Sequence, residues 1–206
     1  MSGQLEVFTV GHSTLSYEDF IGLLRAAGVT AIGDVRTAPY SRHFPHFNRD
    51  TLQSELLEDG IEYRFLGQKL GGRPSGKEFF CEGVADYEKM AATEDFSKGL
   101  DLVAQGAEKH RLALMCSERD PLDCHRCLLI GRALAERGIA VKHILPGGDI
   151  LGQDEIEERL LKSADVQDGD FFRSRDERLA LAYRQRGRKV AYAEPTDEPS
   201  GQVAAE

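Results

Sequence analysis

Apolar residues along this chain switch repeatedly between the alternation of a strand and the three-to-four spacing of a helix. Residues 5–10 alternate, are rich in β-formers, and stop at Gly11-His12-Ser13. Ser16 or Ser13 can cap a helix with apolar positions Phe20, Leu23, Leu24 and Ala27, which Gly28 closes. A second strand is expected over residues 29–35, and Asn48 caps a helix over 49–59 whose Leu52, Leu56 and Leu57 face inward. A third strand is expected over 61–66, one or two helices over 87–109, and a fourth strand over 111–116. Asp120 with Pro121 opens a helix that runs to Arg137 and stops at Gly138. Residues 139–145 form a fifth strand, ended by Pro146-Gly147-Gly148.

Strands alternating with helices at this spacing predict a single three-layer α/β domain with a mainly parallel sheet of about five strands. Beyond Gly152 the pattern changes to two short helices, over 155–161 and 173–187. The expected organisation is an α/β domain over 1–150, a charged helical extension over 151–193, and a disordered tail over 194–206.

Composition narrows the class. The 206 residues, 41% hydrophobic and 30% charged, suit one domain with a sizeable core and an appendage. No apolar run reaches the roughly 18–20 residues of a membrane span, so no membrane partner is expected. The first residues lack the succession of a signal peptide. Cysteines at 81, 116, 124 and 127 are too few and too clustered for a secreted disulfide framework. A cytoplasmic location is the expectation.

The net charge of −9 disfavours broad capture of nucleic acid, which needs Lys and Arg against phosphate. The charge is uneven, with −6 over residues 149–170 and +5 over 171–190. Those two segments either pair with each other or form a partner surface. Oligomeric state is not readable.

In an open parallel sheet, ligands bind beyond the carboxyl ends of the strands. Those ends deliver His12 and Ser13, then Asp34 and Arg36, then Gly71-Gly72-Arg73, then Cys116 and Glu118. Cys124, His125 and Arg126 follow at the start of the next helix. Cys116 and Cys124 are candidate nucleophiles, although a Cys ending an apolar strand is also a common packing residue. His125 and Glu118 can transfer protons, and a helix N-terminus favours a neutral imidazole. Arg126 can hold a carboxylate or phosphate, or form a salt bridge to Asp34, Glu118 or Asp120. Cys127 is expected to face the core.

Two rivals use the same residues. Cys116, Cys124 and His125, with His12 or Asp34, suit zinc by ligand type, although the seven-residue gap between thiols is not a zinc-knuckle spacing. A Cys116–Cys124 redox pair is the other. Dinucleotide, phosphate-loop and His-Glu-x-x-His signatures are absent, and Leu122 stands where a Cys-x5-Arg loop needs arginine. The aromatic and basic run 40–49, with Arg42 and Ser41, can either grip a ring and phosphate or pack its own Phe44 and Phe47.

Six motifs then agree in order and spacing with a known family. They are Thr9-Val10-Gly11-His12-Ser13, Asp34-Val35-Arg36-x-x-Pro39-x-Ser41, Phe47-Asn48, Leu70-Gly71-Gly72, Leu114-Met115-Cys116-x-Glu118 and Cys124-His125-Arg126. Over about residues 5–145 the chain resembles the bacterial "domain of unknown function 488" family. The resemblance implies a cytosolic α/β domain with a suspected active site at those motifs, and no established reaction.

The leading expectation is an enzyme with catalytic Cys116, Glu118, Cys124, His125 and Asp34. It would act on a small anionic, phosphorylated or nucleotide-like substrate through a thiol nucleophile. Substrate would be held by His12, Ser13, Arg36, Ser41, Arg42, Gly71, Gly72 and Arg126, with no cofactor required and zinc as the alternative. The alternative functions are a metal-dependent hydrolase or nucleic-acid-modifying enzyme, and a non-enzymatic ligand or nucleic-acid binding module.

Overall fold

A computed structural model describes residues 4–164 and 173–194. Its sheet has six strands in the order β3-β2-β6-β1-β7-β8. These are β1 (Glu6–Gly11), β2 (Ala31–Asp34), β3 (Glu62–Phe65), β6 (Leu112–Cys116), β7 (Ala140–Ile144) and β8 (Ile150–Gly152). A separate hairpin joins β4 (Phe80–Cys81) to β5 (Val84–Ala85). The first five sheet strands run parallel, and only β8 is antiparallel, to β7. Strand β8 is an addition to the expected five. Pro146-Gly147-Gly148 is a hairpin turn, with Gly148 at φ +90° and Leu145 N donating to Asp149 O at 2.8 Å.

Strands β2 and β6 are buried throughout, and β1 at all but its first residue, as central parallel strands require. Their side chains divide by alternation. Phe8, Val10, Ile32, Ala113 and Met115 face α1 (Tyr17–Ala26) and α2 (Arg49–Glu58). Val7, Leu112, Leu114 and Cys116 face the opposite layer, which includes α4 (Tyr87–Ala91), α5 (Glu94–Ala107) and α6 (Arg132–Glu136). The result is the three-layer α/β architecture, and it places Cys116 on the α5 side of the sheet. A short helix, α3 (Gly67–Leu70), follows β3.

The expected helix after Asp120 is interrupted. Pro121–Asp123 forms a single 3-10 turn, capped by the Asp120 carboxylate accepting from Leu122 N at 2.9 Å. Cys124 then extends (φ −137°, ψ 140°), and helix resumes at His125 with a π-helical stretch, Arg126–Gly131. Such π stretches recur at functional sites because they rotate neighbouring side chains out of α-helical register.

The C-terminal helices α7 (Gln153–Ser163) and α8 (Arg175–Val190) dock on this same domain. Ile156, Leu160, Ala182 and Tyr183 pack with Leu122, Cys127 and Leu128, which places Cys127 in this core. The oppositely charged segments partly pair with each other, Arg175 lying 2.8 Å from Glu158. Arg184 and Arg186 instead reach Glu88 and Asp123 of the domain. After α8 the chain runs along β5, Ala85 N donating to Tyr192 O at 2.8 Å and Glu194 N to Gly83 O at 2.9 Å. Within the expected tail, residues 195–206 lie outside the described residues.

A buried polar chain ties this extension to the sheet. The Thr9 hydroxyl lies 2.8 Å from His143 Nδ1, and His143 Nε2 lies 2.7 Å from Gln153 Oε1. Gln153 Nε2 donates to the Tyr183 hydroxyl at 2.6 Å, which donates to Glu157 at 2.9 Å. Gln153 Oε1 only accepts, so His143 carries its proton on Nε2 and accepts from Thr9. Burial lowers the His143 pKa from 6.5 to about 4, so the unfolded chain binds this proton first. Stability from this group is complete above pH 6.5 and drains away as pH falls towards 4. Urea denaturation at several pH values should therefore show the wild-type advantage over His143→Gln shrinking by roughly 3 kcal/mol across that interval. A pH-independent difference would contradict the neutral buried imidazole.

Candidate active site at the strand ends

The exits of β1 and β6 are locked together. His12 N donates to Cys116 O at 3.0 Å and Ser13 N to Ser117 O at 2.9 Å. Gly11 has to be glycine, because a Cβ there would overlap the Glu118 carbonyl and sit 3.0 Å from the Arg126 guanidinium. That guanidinium is fully buried and donates to the carbonyls of Glu118 at 2.6 Å and Arg119 at 3.1 Å. Arg126 therefore braces the loop after β6 through backbone carbonyls, and among the described residues it makes no salt bridge to Asp34, Glu118 or Asp120.

The loop and the π-helix start converge on one point. The Sγ atoms of Cys116 and Cys124 each lie 2.9 Å from Glu118 Oε2. His125 Nδ1 lies 3.7 Å from Cys116 Sγ and 3.8 Å from Cys124 Sγ. The other imidazole nitrogen, Nε2, meets the Val35 carbonyl at 3.0 Å, and Gly72 lies so close to the ring that a Cβ would approach it to 2.8 Å. Cys116, Cys124 and His125 are buried, while Glu118 stands at the exposed edge and turns Oε2 inward.

The two adjacent thiols are pushed in opposite directions, Cys124 down and Cys116 up. Burial resists the downward shift, but the Cys116 hydrogen bond, Arg126 and His125 together draw the Cys124 pKa well down. Arg126 N also donates to Cys124 Sγ at 3.4 Å. Burial, the Cys124 charge and Glu118 push the Cys116 thiol up. Glu118 is raised by burial first and then by Cys124. Burial alone would lower His125, but the Cys124 charge reverses it and raises the pKa. A helix start alone would favour the neutral imidazole, and the neighbouring thiolate outweighs it.

Asp34 stands apart from this cluster. Its carboxylate takes Arg36 Nε at 2.9 Å, Arg36 Nη2 at 2.6 Å and the Tyr63 hydroxyl at 2.7 Å. It therefore orients Arg36, and both oxygens are occupied. His12 accepts from Arg36 Nη1 at 3.2 Å and stacks on Phe47 at 4.1 Å, with burial and then Arg36 lowering its pKa to about 4.

A cavity of about 140 Å³ opens over the cluster. Cys116, Glu118 and His125 reach it from one side, Arg36, Gly72 and Arg73 from another. Of the other sequence candidates, Ser13 takes a left-handed turn (φ 48°) at the β1 exit. Gly71 packs against Thr37 and the Gly67 carbonyl, and the Ser41 hydroxyl accepts from Phe44 N at 3.1 Å. Those three, with His12, Arg42, Cys124 and Arg126, do not line the cavity.

Tyr87, Arg73 and Tyr192 do line it, and sequence reasoning did not assign them. Arg73 was visible at the end of the Gly71-Gly72 run, and its guanidinium lies 5.2 Å from the Tyr192 ring. Tyr87 and Tyr192 carry no local signal, since only the packing of α4 and the return of the chain after α8 bring them in.

Gly11→Ala tests the tight crossing of β1 over the next loop. Both the overlapping atom and its clamp are fixed, so the cost should reach the upper end of overpacking, about 3 kcal/mol, in urea denaturation. A neutral substitution would show that the loop is free to yield.

Neither curated proteins nor solved structures gave a match to the chain. A family model described as "Domain of unknown function DUF488" matches residues 16–133, from the start of α1 to α6. The matched span contains Asp34, Arg36, Gly72, Cys116, Glu118, Cys124 and His125, and it covers more than half of the sequence: the chain belongs to the DUF488 family.

Proposed function

We propose that this chain is a hydrolytic enzyme for a small anionic substrate, with the cluster at the end of β6 as its reacting groups. A single observation carries the reading: one cavity has Cys116, Glu118 and His125 against two guanidiniums, Arg36 and Arg73. Arg73 is exposed at the rim, whereas Arg36 lines the cavity and is fixed by Asp34 and His12. Together they fit a carboxylate or phosphate group.

The geometry serves proton transfer better than attack by a free thiol. The thiol whose pKa is drawn down belongs to Cys124, which is 1% exposed and away from the cavity, while the surroundings push the Cys116 thiol at the cavity up. Glu118 has the access to the cavity, and burial and Cys124 raise its pKa in the direction that suits a group passing a proton to or from substrate. His125 is held in one orientation by Val35 beside it. No helix among the described residues is long and apolar enough to cross a membrane, and a water-borne substrate agrees with that. We place the reaction in the cytoplasm on the cysteine content.

The cavity is about the size of the engineered apolar cavities that hold a single benzene ring. Only the reacting part of a larger anion enters, and the remainder stays outside near Arg73.

The test is a panel of small phosphate- and carboxylate-bearing esters, amides and glycosides. With a hydrolysed member, Glu118→Gln should lower kcat by roughly 10²–10⁴. Arg73→Ala should act mainly on KM, raising it about tenfold for a lost charged hydrogen bond. A wild-type kcat in the Glu118 variant, or a panel left untouched by the native protein, removes the basis of the proposal.

A further inference from the structure

The cluster has more donors than proton transfer needs. Ligand atoms from Cys116, Glu118, Cys124 and His125 all lie within 4.8 Å of one another. Three of these side chains carry an acidic group, and all point at one small volume. The nearest guanidinium, Arg126, is bonded to backbone carbonyls. A divalent cation at that point would answer both facts.

We infer that these four residues form a zinc site, in which Cys116, Cys124 and His125 are the fixed ligands and Glu118 holds the exchangeable fourth corner. The inference rests on the reading of this cluster as the reacting centre, and it names the centre's cofactor. Zinc–sulfur bonds of about 2.3 Å and zinc–nitrogen bonds of about 2.0–2.1 Å set tetrahedral S and N ligands roughly 3.6 Å apart. His125 Nδ1 stands 3.7 and 3.8 Å from the two sulfurs.

The outer contacts are those a ligating histidine uses. Its distal nitrogen meets the Val35 carbonyl at 3.0 Å, which turns Nδ1 towards the sulfurs, and the backbone of Gly72 passes close against the ring. The 2.9 Å sulfur–oxygen distances are shorter than co-ligation allows, so the carboxylate must withdraw slightly when metal enters. Glu118 is exposed and is the member free to move.

The site differs from a sealed structural zinc. Cys116, Glu118 and His125 border the cavity, so the metal faces substrate on the Glu118 side. Water replacing the carboxylate there would be activated by zinc, with Glu118 beside it to take the proton.

The experiment uses the full chain, stripped with a chelator and then titrated with zinc or cobalt. About one zinc per chain should be retained, and cobalt should give tetrahedral d–d bands with a sulfur-to-cobalt charge-transfer band. Zinc should also shield Cys116, the thiol that reaches the cavity, from iodoacetamide in the folded protein, read by mass spectrometry, while the half-buried Cys81 reacts equally with and without metal. Cys124→Ser and His125→Ala should lose the metal, with circular dichroism reporting the fold. Shielding in the native protein needs no variant, so a misfolded mutant does not rescue or sink the result.

Absence of retained zinc, absence of the charge-transfer band, or unchanged alkylation overturns the site. Should that happen while the Glu118 and Arg73 variants still alter kcat and KM, the enzyme reading stands without metal. Zinc bound to a protein that hydrolyses nothing would have the opposite meaning, upholding the site and removing the enzyme.

Discussion

The arrangement depends on one buried cation. Arg126 has no solvent exposure, and burying an unpaired guanidinium in a protein core would be prohibitive. Its terminal nitrogens donate to the carbonyls of Glu118 and Arg119, its Nε has no hydrogen-bond partner among the described residues, and Cys124 lies near enough to interact with its charge. Those bonds act on both ends of a short loop. One end is the exit of β6, carrying Cys116 and Glu118, and the other is the start of the π-helix, carrying Cys124 and His125. The crossing tolerates no side chain on Gly11, so the strand, the loop and the clamp constrain one another. Without the guanidinium there is no reason for that loop to fold back and bring a carboxylate between two thiols.

Most of the fold was legible because the central strands are buried on both faces and read as near-continuous apolar runs. Leu112–Cys116 is the plainest case. Strand β8 was not legible, since three residues beyond Pro146-Gly147-Gly148 carry too little pattern to separate a hairpin from an ending. The Asp120-Pro121 signal was real but opened only one 3-10 turn. Cys124 then takes an extended backbone and turns its thiol to Glu118, an arrangement that no helical spacing records. The same distinction runs through the site. Strand-end position revealed Cys116, Glu118, Cys124 and His125, and it also drew in Asp34, whose strand-end position is equally good but whose carboxylate is spent on Arg36 and Tyr63. Arg126 looked like an anion holder by residue type, and its burial against the Glu118 and Arg119 carbonyls was not legible from spacing.

The C-terminal extension looked like an appendage and is part of the site's support. Arg186 donates to the Leu122 carbonyl at 2.9 Å and pairs with Asp123, so α8 braces the turn that precedes Cys124. Tyr183 closes the buried chain from Thr9 through His143 and Gln153, which fixes α8 and α7 to the sheet. The backbone then pairs with β5 and brings Tyr192 to the cavity. The matched family span ends at residue 133, before Gln153, Tyr183, Arg186 and Tyr192, so these contributions of the extension lie outside the region the family model describes.

Charge and size together restrict what the cavity is built to meet. A chain with a net charge of −9 repels anions at long range, so an anionic substrate gains little from the overall field. Attraction has to be local, and at ordinary ionic strength screening confines it to within about 8–10 Å. Arg73 at the rim and Arg36 deeper in are spaced along that short path, with Asp34 fixing the second guanidinium at the cost of part of its charge. An extended polyanion such as duplex DNA would engage the acidic surface as well and gain nothing from it. A small anion that presents one charged group to about 140 Å³ of space avoids that penalty. On the proposed reading, the two guanidiniums would serve as a selective entrance to the cluster for such an anion.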